Sequence, residues 1–394
     1  MGVLRDSWHG ARLPSATLLL FLLVLLAVGA LFVHSAVAGG REPFPGSLAQ
    51  KHMFRIGIGL SFLALFLVVD YRRLKDFSPL LYLIGIGVLL GQFGQKLLFG
   101  GVVRWIDLPG FSFQPSEVVK LFTVLMVARL LIPGGKPPRG WEHALPLAVT
   151  AVPCLLVAVQ PDLGTALVLP PTLLAMLWVS GVSTRRLLAY VGTALALVPL
   201  GLLFLRDYQL ARLRVFLNPL LGPASGASGI EGYQAHQALI AIGSGGPTGK
   251  GLFMGSQNYL GYLPENHNDF IFAVLGEEWG LLGTLCLTFI FLCLFLSCLG
   301  IAYRTREPFG RLVVVGITVM LAFQTWVNLA MSVGLAPVVG LPLPFMSFGG
   351  SSLLTSLASM GIVLGIGMRP VRIVFPDGLQ PGASPIVPRP VRHL

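Results

Sequence analysis

Charge is scarce in this chain of 394 residues, because only 11% of them are Asp, Glu, Lys or Arg, against about 25% in an ordinary soluble domain. With 55% hydrophobic residues and a mean hydropathy of +0.81, that scarcity excludes a disordered chain, a coiled coil and a typical soluble enzyme. Acidic residues are especially few, 16 against 27 basic ones. The charges sit in short clusters between long apolar runs, which is typical of a polytopic membrane protein rather than of a nucleic-acid-binding one.

Cysteine is also rare. The four cysteines all lie inside apolar runs, and none belongs to a CxxC pair with a histidine partner: Cys154, Cys286, Cys293 and Cys298. We interpret them as small packing residues in lipid, so the sequence predicts no redox or metal role for them.

Apolar runs are abundant, and ten of them are candidate membrane spans, since about 20 apolar residues cross a bilayer core of roughly 30 Å. The predicted spans are Ala16–Val37, Phe54–Val69, Pro79–Phe93, Ser116–Ile132, Ala144–Val159, Leu163–Ser180, Leu187–Leu205, Phe270–Leu299, Leu312–Leu335 and Ser351–Met368. Lipid offers no hydrogen bonds to the backbone, so these runs must be helical. The predicted fold is therefore an all-α polytopic membrane protein with about ten transmembrane helices.

The basic residues predict how the chain is arranged about the membrane. The larger share of Lys and Arg falls in segments on the same side as both termini, which places the termini in the cytosol. The first span resembles a signal peptide, but its apolar run is longer than the usual 7–15 residues, so we expect an uncleaved helix. Residues 1–375 then form one transmembrane domain with a long outer-face loop over residues 206–269. The Pro-rich residues 376–394 form a flexible cytosolic tail.

Charged residues near the spans are the best indicators of function, because each costs about 2.5–3.5 kcal/mol at the centre of a membrane helix. Glu117 and Lys120 stand three residues apart in the fourth span and share a face. They form either an internal ion pair or part of a wet, charged cavity near the outer surface. Asp162 precedes the sixth span, where it is either a helix cap or a member of the same cavity.

A Gly-rich segment at residues 241–251 invites comparison with a nucleotide-binding loop. It fails because Ser244 replaces the first Gly of that motif, and Gly251 replaces the Ser or Thr that binds magnesium. What remains is either a plain turn or an amide-rich loop in which Lys250 could meet a phosphate. The sequence therefore predicts no nucleotide cofactor.

Three ionisable residues, Glu265, His267 and Asp269, lie within five positions at the entrance of the eighth span. Further ligands at a defined spacing are not found, so no metal site is predicted, although a divalent cation stays open. A carboxylate at a membrane-helix entrance beside a polar loop is a candidate general base, and an N-cap role for Asp269 is the alternative. The uncharged connection at residues 336–352 is apolar enough to enter the bilayer as a re-entrant segment, which requires a protein-lined or water-lined cavity.

Several of these segments together resemble the SEDS family, which comprises the RodA, FtsW and SpoVE proteins. The motifs extend from about Arg104 to Arg369 and occur in the order RWIDL, FQPSEVVK, QPDLGTA, IAIGSGGPTGKG, LPENHNDFIFAVLGEEWG and GLPLPFMSFGGSS. The GKG at residues 249–251 and the short termini are more similar to the elongation branch, RodA, than to the division branch. The family commonly has His-Thr-Asp where this chain has His267, Asn268 and Asp269.

The resemblance implies a peptidoglycan glycosyltransferase at the outer face of the cytoplasmic membrane. Such an enzyme polymerises lipid II, the undecaprenyl-diphosphate-linked disaccharide-pentapeptide, into glycan strands during cell elongation and releases undecaprenyl diphosphate. The implied partners are a class B penicillin-binding protein, which supplies the transpeptidase, and other elongation-complex proteins.

The resemblance also implies roles for individual residues. It assigns Asp269 as the base, and it makes Glu117, Lys120 and Asp162 residues that shape a central cavity. Weaker candidates for contact with the diphosphate or the rest of the substrate are Arg104, Arg212, Arg214, Lys250, His267 and Glu265.

Two other functions stay open from the residues alone. Ten helices with buried charges fit a lipid II flippase or another transporter equally well by composition. The polar residues gather on one side of the membrane, whereas a translocation path needs them in both halves, and this favours the enzyme. A non-catalytic scaffold for the penicillin-binding protein would have no need of Asp269.

Overall fold

The computed structural model describes residues 2–38, 46–99, 104–108, 111–132, 143–202, 209–210, 212–214, 216–217, 230–263 and 267–369. Helices dominate this part of the chain, and one short hairpin joins two of them. The helices are α1 (Gly2–Ala38), α2 (Gly46–Val68), α3 (Tyr71–Phe99), α4 (Pro115–Leu130), α5 (Ala144–Val159), α6 (Leu163–Val179), α7 (Thr184–Leu202), α8 (Ile230–Gly245), α9 (Ser256–Tyr259), α10 (Ile271–Arg304), α11 (Pro308–Ser332) and α12 (Gly350–Met368). The antiparallel strands β1 (Ile106–Leu108) and β2 (Phe111–Phe113) form the hairpin before α4.

A helix stands at each of the ten predicted spans, and the expectation of an all-α polytopic membrane protein is confirmed. Six of the described helices are long and apolar enough to cross a membrane, namely α1, α2, α3, α10, α11 and α12, while α5 and α6 are shorter apolar helices. Helix α3 begins at Tyr71, before the predicted start at Pro79. The prediction placed this proline at the first turn, but it lies inside the helix. The predicted end of the seventh span, Leu205, lies outside the described residues.

The centre of the bundle is formed by α11 and α12, whose spanning segments are 72% and 83% buried, against 39% or less for the other four. The two helices α2 and α12 pack closely through small residues. A Cβ on Gly361 would lie 2.5 Å from the carbonyl oxygen of Leu63, so only glycine permits this approach. Such small-residue contacts are the usual means of close helix packing where lipid provides no hydrophobic driving force.

The loop between α7 and α10 is partly helical, since α8 lies within it and packs against α10. Helix α10 is itself broken at Gly280, where φ is 65° and ψ is −161°. The loop after α8 bonds to the backbone on both sides of the break. Leu281 N–H donates to the Gly246 carbonyl at 2.9 Å, and Gly251 N–H donates to the Glu278 carbonyl at 3.0 Å. Because lipid cannot satisfy backbone groups freed by a break, this pairing allows α10 to be non-helical there.

The connection between α11 and α12, residues 333–349, is irregular and largely buried, with Leu341, Leu343, Phe345 and Met346 almost fully enclosed. Several of its carbonyl groups accept hydrogen bonds from side chains of neighbouring segments, and most of these side chains lie on one face of α11. A non-helical segment at this depth is tolerated where protein surrounds it, which agrees with the uncharged sequence.

Candidate active site

A cavity of about 510 Å³ opens at the end of the bundle where α4, α6 and α10 begin, α5 ends and the connection after α11 passes. Several separate segments line it, and both charged and apolar residues take part. The lining residues are Arg104, Trp105, Gln114, Pro161, Asp162, Leu163, Leu167, Gln209, Arg212, Leu213, Asn268, Asp269, Pro337, Val338, Val339 and Gly340. A concave site with an apolar wall and few convergent polar groups is typical of a substrate pocket.

Asp269 lies half-buried in the wall of this cavity. Helix α10 begins at Ile271 with Phe270 as its N-cap, so the alternative in which Asp269 caps the helix is wrong. The carboxylate instead faces the connection between α11 and α12, where a Cβ added to Gly340 would lie 3.5 Å from Asp269 Oδ2. Gly340 has φ of +72°, a backbone conformation that favours glycine.

The backbone at residues 267–269 is fixed by three successive hydrogen bonds, one to each carbonyl. Phe348 N–H donates to the first carbonyl at 3.0 Å, and Ser347 Oγ donates to the second. Asn328 Nδ2 donates to the third, the carbonyl of Asp269, at 2.9 Å. The segment that carries the candidate base is therefore bound to the α11–α12 connection at each residue.

Asp162 combines the two roles that its position allowed. It is the N-cap of α6, where Oδ1 accepts from Thr165 N–H at 3.2 Å, and it also lines the cavity. Its Oδ2 accepts from Gln114 Nε2 at 2.6 Å and from Ser116 Oγ at 3.1 Å. Gln114, not Ser116, stands at the N-cap of α4, so the hydroxyl of Ser116 is available to Asp162.

Two arginines line the cavity with the two aspartates. Arg104 donates from Nε to the Gln160 carbonyl at 3.0 Å and from Nη2 to the Pro161 carbonyl at 2.6 Å, which fixes its guanidinium at the end of α5. Arg212 is half-buried at the cavity wall. Arg214 is exposed and is not among the described residues that line the cavity. The structure thus separates these two neighbouring candidates.

Glu117 and Lys120 form a buried ion pair and are not among the described residues of the cavity wall. Lys120 Nζ lies 2.9 Å from Glu117 Oε1, and both side chains are at most 4% exposed. Lys120 Nζ also donates to Gln324 Oε1 at 2.9 Å, while Gln324 Nε2 donates to the Pro342 carbonyl at 2.9 Å. The pair therefore supports the connection behind the wall.

Lys250 lies in a second polar cluster with Glu277 rather than at the cavity. Its Nζ is 2.6 Å from Glu277 Oε1, which also accepts from Ser256 Oγ at 3.0 Å and Gln257 N–H at 3.0 Å. Ser35 Oγ of α1 donates to the neighbouring Glu278. These contacts join α1 and the loop between α8 and α10 to α10, so the Gly-rich loop has a structural role here.

His267 and Glu265 complete the predicted set. The His267 ring packs edge-on against Phe348 with centroids 5.4 Å apart, beside rather than in the cavity wall. Glu265 lies outside the described residues.

Two residues that the sequence reasoning missed are Gln324 and Asn328, which stand one turn apart on α11 and bond to the connection. They carry no charge, so a search for charged residues in spans did not find them. A search for any side chain in a span with polar hydrogen-bonding groups would have found both, because burying such groups in lipid without a partner is unfavourable.

Comparison with known proteins gives concordant results. The family model of FtsW, RodA and SpoVE, described as "Cell cycle protein", matches residues 16–370. The chain is 38% identical to the peptidoglycan glycosyltransferase MrdB of Escherichia coli K12, over 89% of this chain and 92% of that protein.

Solved structures show the same likeness. A chain of a peptidoglycan synthase complex, studied for the coordination of polymerization and crosslinking, matches with a TM-score of 0.72 and 30% identity, covering 89% of this chain and 96% of that one. The rod shape determining protein RodA of Thermus thermophilus matches with a TM-score of 0.63 and 28% identity, covering 89% and 95%.

Proposed function

The chain belongs to the family of FtsW, RodA and SpoVE cell cycle proteins, and on that premise we propose that Asp269 is the general base of its glycosyl transfer. The resemblance to the SEDS family is thereby confirmed. The protein is a multi-pass membrane protein and a peptidoglycan glycosyltransferase of the RodA type. Its substrate is lipid II, and its product is a glycan strand that remains linked to the lipid carrier.

The observation that carries the proposal is the presence of Asp269 in the wall of the 510 Å³ cavity, which two arginines and several apolar residues also line. A sugar hydroxyl of one lipid II molecule attacks the anomeric carbon of the lipid-linked growing strand. A carbon–oxygen bond forms there as the bond to the diphosphate oxygen breaks. The proton of the hydroxyl passes to the Asp269 carboxylate, and undecaprenyl diphosphate leaves with the bonding electrons. A positioned base contributes about 10²–10⁴-fold to such a step.

Arg104 and Arg212 are the cations that the cavity offers to the diphosphate. Both line it, and the two carbonyl contacts of Arg104 fix the direction of its guanidinium. Fixed positive groups stabilise the charge that develops on the leaving diphosphate, since they need no reorganisation during the reaction. Asp162 holds Gln114 and the start of α6 in place, and all three line the cavity.

The orientation and the partner follow from the same premise. We infer that both termini face the cytosol and that the cavity opens at the outer face of the cytoplasmic membrane, which is supported by the distribution of Lys and Arg. The transpeptidase partner is a class B penicillin-binding protein. A synthase complex that coordinates polymerization and crosslinking contains a chain similar to this one, which supports such a pairing.

The test is a polymerisation assay with labelled lipid II and the full chain in vesicles, with and without the penicillin-binding partner and with chelator. Asp269→Asn removes the base but keeps the size of the side chain, and we expect a loss of at least 10²-fold in polymer formation. Asp107→Asn is the matched control, because Asp107 is exposed on the hairpin and is not among the described residues of the cavity wall.

Three outcomes would contradict the proposal. Normal polymer formation by Asp269→Asn would show that another group accepts the proton. Transfer of lipid II across the vesicle without polymer would indicate a transporter. An absence of both activities in the parental protein with its partner would indicate a scaffold.

A further inference from the structure

We propose that Asn328 is a positioning residue that sets the distance between the Asp269 carboxylate and the Gly340 segment of the cavity wall, an inference that rests on the proposed function of Asp269. Asn328 lies on α11, one of the two central helices, and is fully buried. Its Nδ2 donates to the Asp269 carbonyl at 2.9 Å and to the Leu341 carbonyl at 2.7 Å. One carboxamide therefore binds both the segment of the base and the segment of the wall.

The direction of the Asn328 carboxamide is determined by its surroundings. A side-chain amide has two hydrogens on nitrogen and only lone pairs on oxygen. Both acceptors here are carbonyl oxygens, so only the nitrogen can face them, and a flipped amide would place oxygen against oxygen twice. The two hydrogens of Nδ2 are thus used fully, one for each segment.

The two bound carbonyls belong to Asp269 itself and to Leu341, the residue after the glycine that faces the Asp269 carboxylate. Leu341 follows Gly340, whose Cα faces the Asp269 carboxylate, and a Cβ there would lie 3.5 Å from Asp269 Oδ2. A shift of either segment would change the separation of the carboxylate from the wall. Asn328 fixes that separation from α11, a largely buried helix that belongs to neither segment.

The role is indirect, since Asn328 is not among the described residues that line the cavity. The preceding turn of α11 supports the same connection, because Gln324 donates to the Pro342 carbonyl at 2.9 Å. Of these two amide side chains, Asn328 is the one that also donates to Asp269.

The test separates turnover from substrate binding. Asn328→Leu keeps the approximate size of the side chain but removes both donors, and we expect kcat for polymer formation to fall by about 10²-fold, the typical effect of misplacing a reacting group by about 1 Å. KM for lipid II should stay within about threefold of the parental value, because the cavity keeps its lining residues. A purely structural role would instead reduce the amount of folded protein and leave kcat per folded molecule unchanged.

Thr325→Val is the matched control on the same helix. The Thr325 hydroxyl is buried and has no hydrogen-bond partner among the described residues, so its removal should change kcat by less than twofold. Should Asn328→Leu be recovered unfolded, Asn328→Ser carries the same expectation, because its hydroxyl is too short to bind both carbonyls.

The results distinguish this inference from the function on which it rests. A folded Asn328→Leu with parental kcat would overturn the positioning role while Asp269→Asn stays inactive. A raised KM with parental kcat would overturn it as well and would indicate a role in substrate binding. Activity in Asp269→Asn would instead overturn the assignment of the base itself.

Discussion

Lys120 and Gln324 are 204 positions apart in the sequence, yet Lys120 Nζ donates to Gln324 Oε1 at 2.9 Å inside the bundle. This bond joins the ion pair of α4 to the side chain that binds the Pro342 carbonyl. This buried ion pair thus acts on the cavity through its supporting segment. Removal of the pair should therefore affect stability before it affects substrate contact.

The first prediction concerns this ion pair. Lys120→Met leaves the Glu117 carboxylate buried without its cation, and the loss of one partner from a buried pair destabilises a protein by about 3–5 kcal/mol. We expect a clear fall in the thermal unfolding temperature of the detergent-solubilised chain. The double variant Glu117→Gln with Lys120→Met should recover part of that loss, since no charge remains buried. Equal unfolding temperatures for the single and double variants would contradict this account.

The second prediction concerns the loop that resembles a nucleotide-binding motif. A Cβ on Gly249 would lie 2.1 Å from the Glu278 carbonyl oxygen, and Gly249 has φ of +82°. Gly249→Ala should therefore separate the loop from the break in α10 and destabilise the protein by roughly 1–3 kcal/mol, measured as thermal unfolding. KM for lipid II in the remaining folded protein should stay unchanged, because the loop is not at the cavity.

Gly243→Ala is the control for this variant. Gly243 lies in α8 with no atom within 4 Å of an added Cβ, so alanine there should be neutral or slightly stabilising. If Gly249→Ala unfolds at the parental temperature but has a raised KM for lipid II, then the loop contacts the substrate and the structural interpretation is wrong.

Much of the architecture could be predicted because lipid imposes a simple rule on the backbone. Each long apolar run must be a helix, so the spans at α10 to α12 follow from hydropathy alone. The start of α3 could not be predicted in the same way. Its first turn contains Arg72 and Arg73, and charged residues are not typical of a membrane span.

The site was only partly predictable, for a reason that Lys120 and Lys250 illustrate. Their charges marked them as functional, but each forms an ion pair, Lys120 with Glu117 and Lys250 with Glu277, and only the fold shows that neither lysine is among the described residues of the cavity wall. Asp269 was predicted from a carboxylate at a membrane-helix entrance beside a polar loop and from the family resemblance, and it lies in the cavity wall. Asn328 was missed because its importance lies in two backbone carbonyls that only the fold brings together.

The last prediction uses two arginines that are two residues apart in the sequence. Arg212 lines the cavity, whereas Arg214 is exposed to solvent. If Arg212 binds the diphosphate, Arg212→Gln removes a charge-assisted hydrogen bond worth about 1.5–3 kcal/mol, which corresponds to roughly a 10- to 100-fold rise in KM for lipid II. Arg214→Gln carries the same change of charge and size and should alter KM by less than twofold.

Ionic strength gives this comparison a second readout. The contribution of an exposed charge is screened at about 10 Å in 0.1 M salt, while a charge at a partly enclosed wall is screened much less. The difference in KM between Arg212→Gln and the parental protein should therefore persist when the assay is repeated at higher salt. An equal effect of the two substitutions, or a difference that disappears with added salt, would mean that Arg212 attracts the substrate from a distance and does not bind its diphosphate in the cavity.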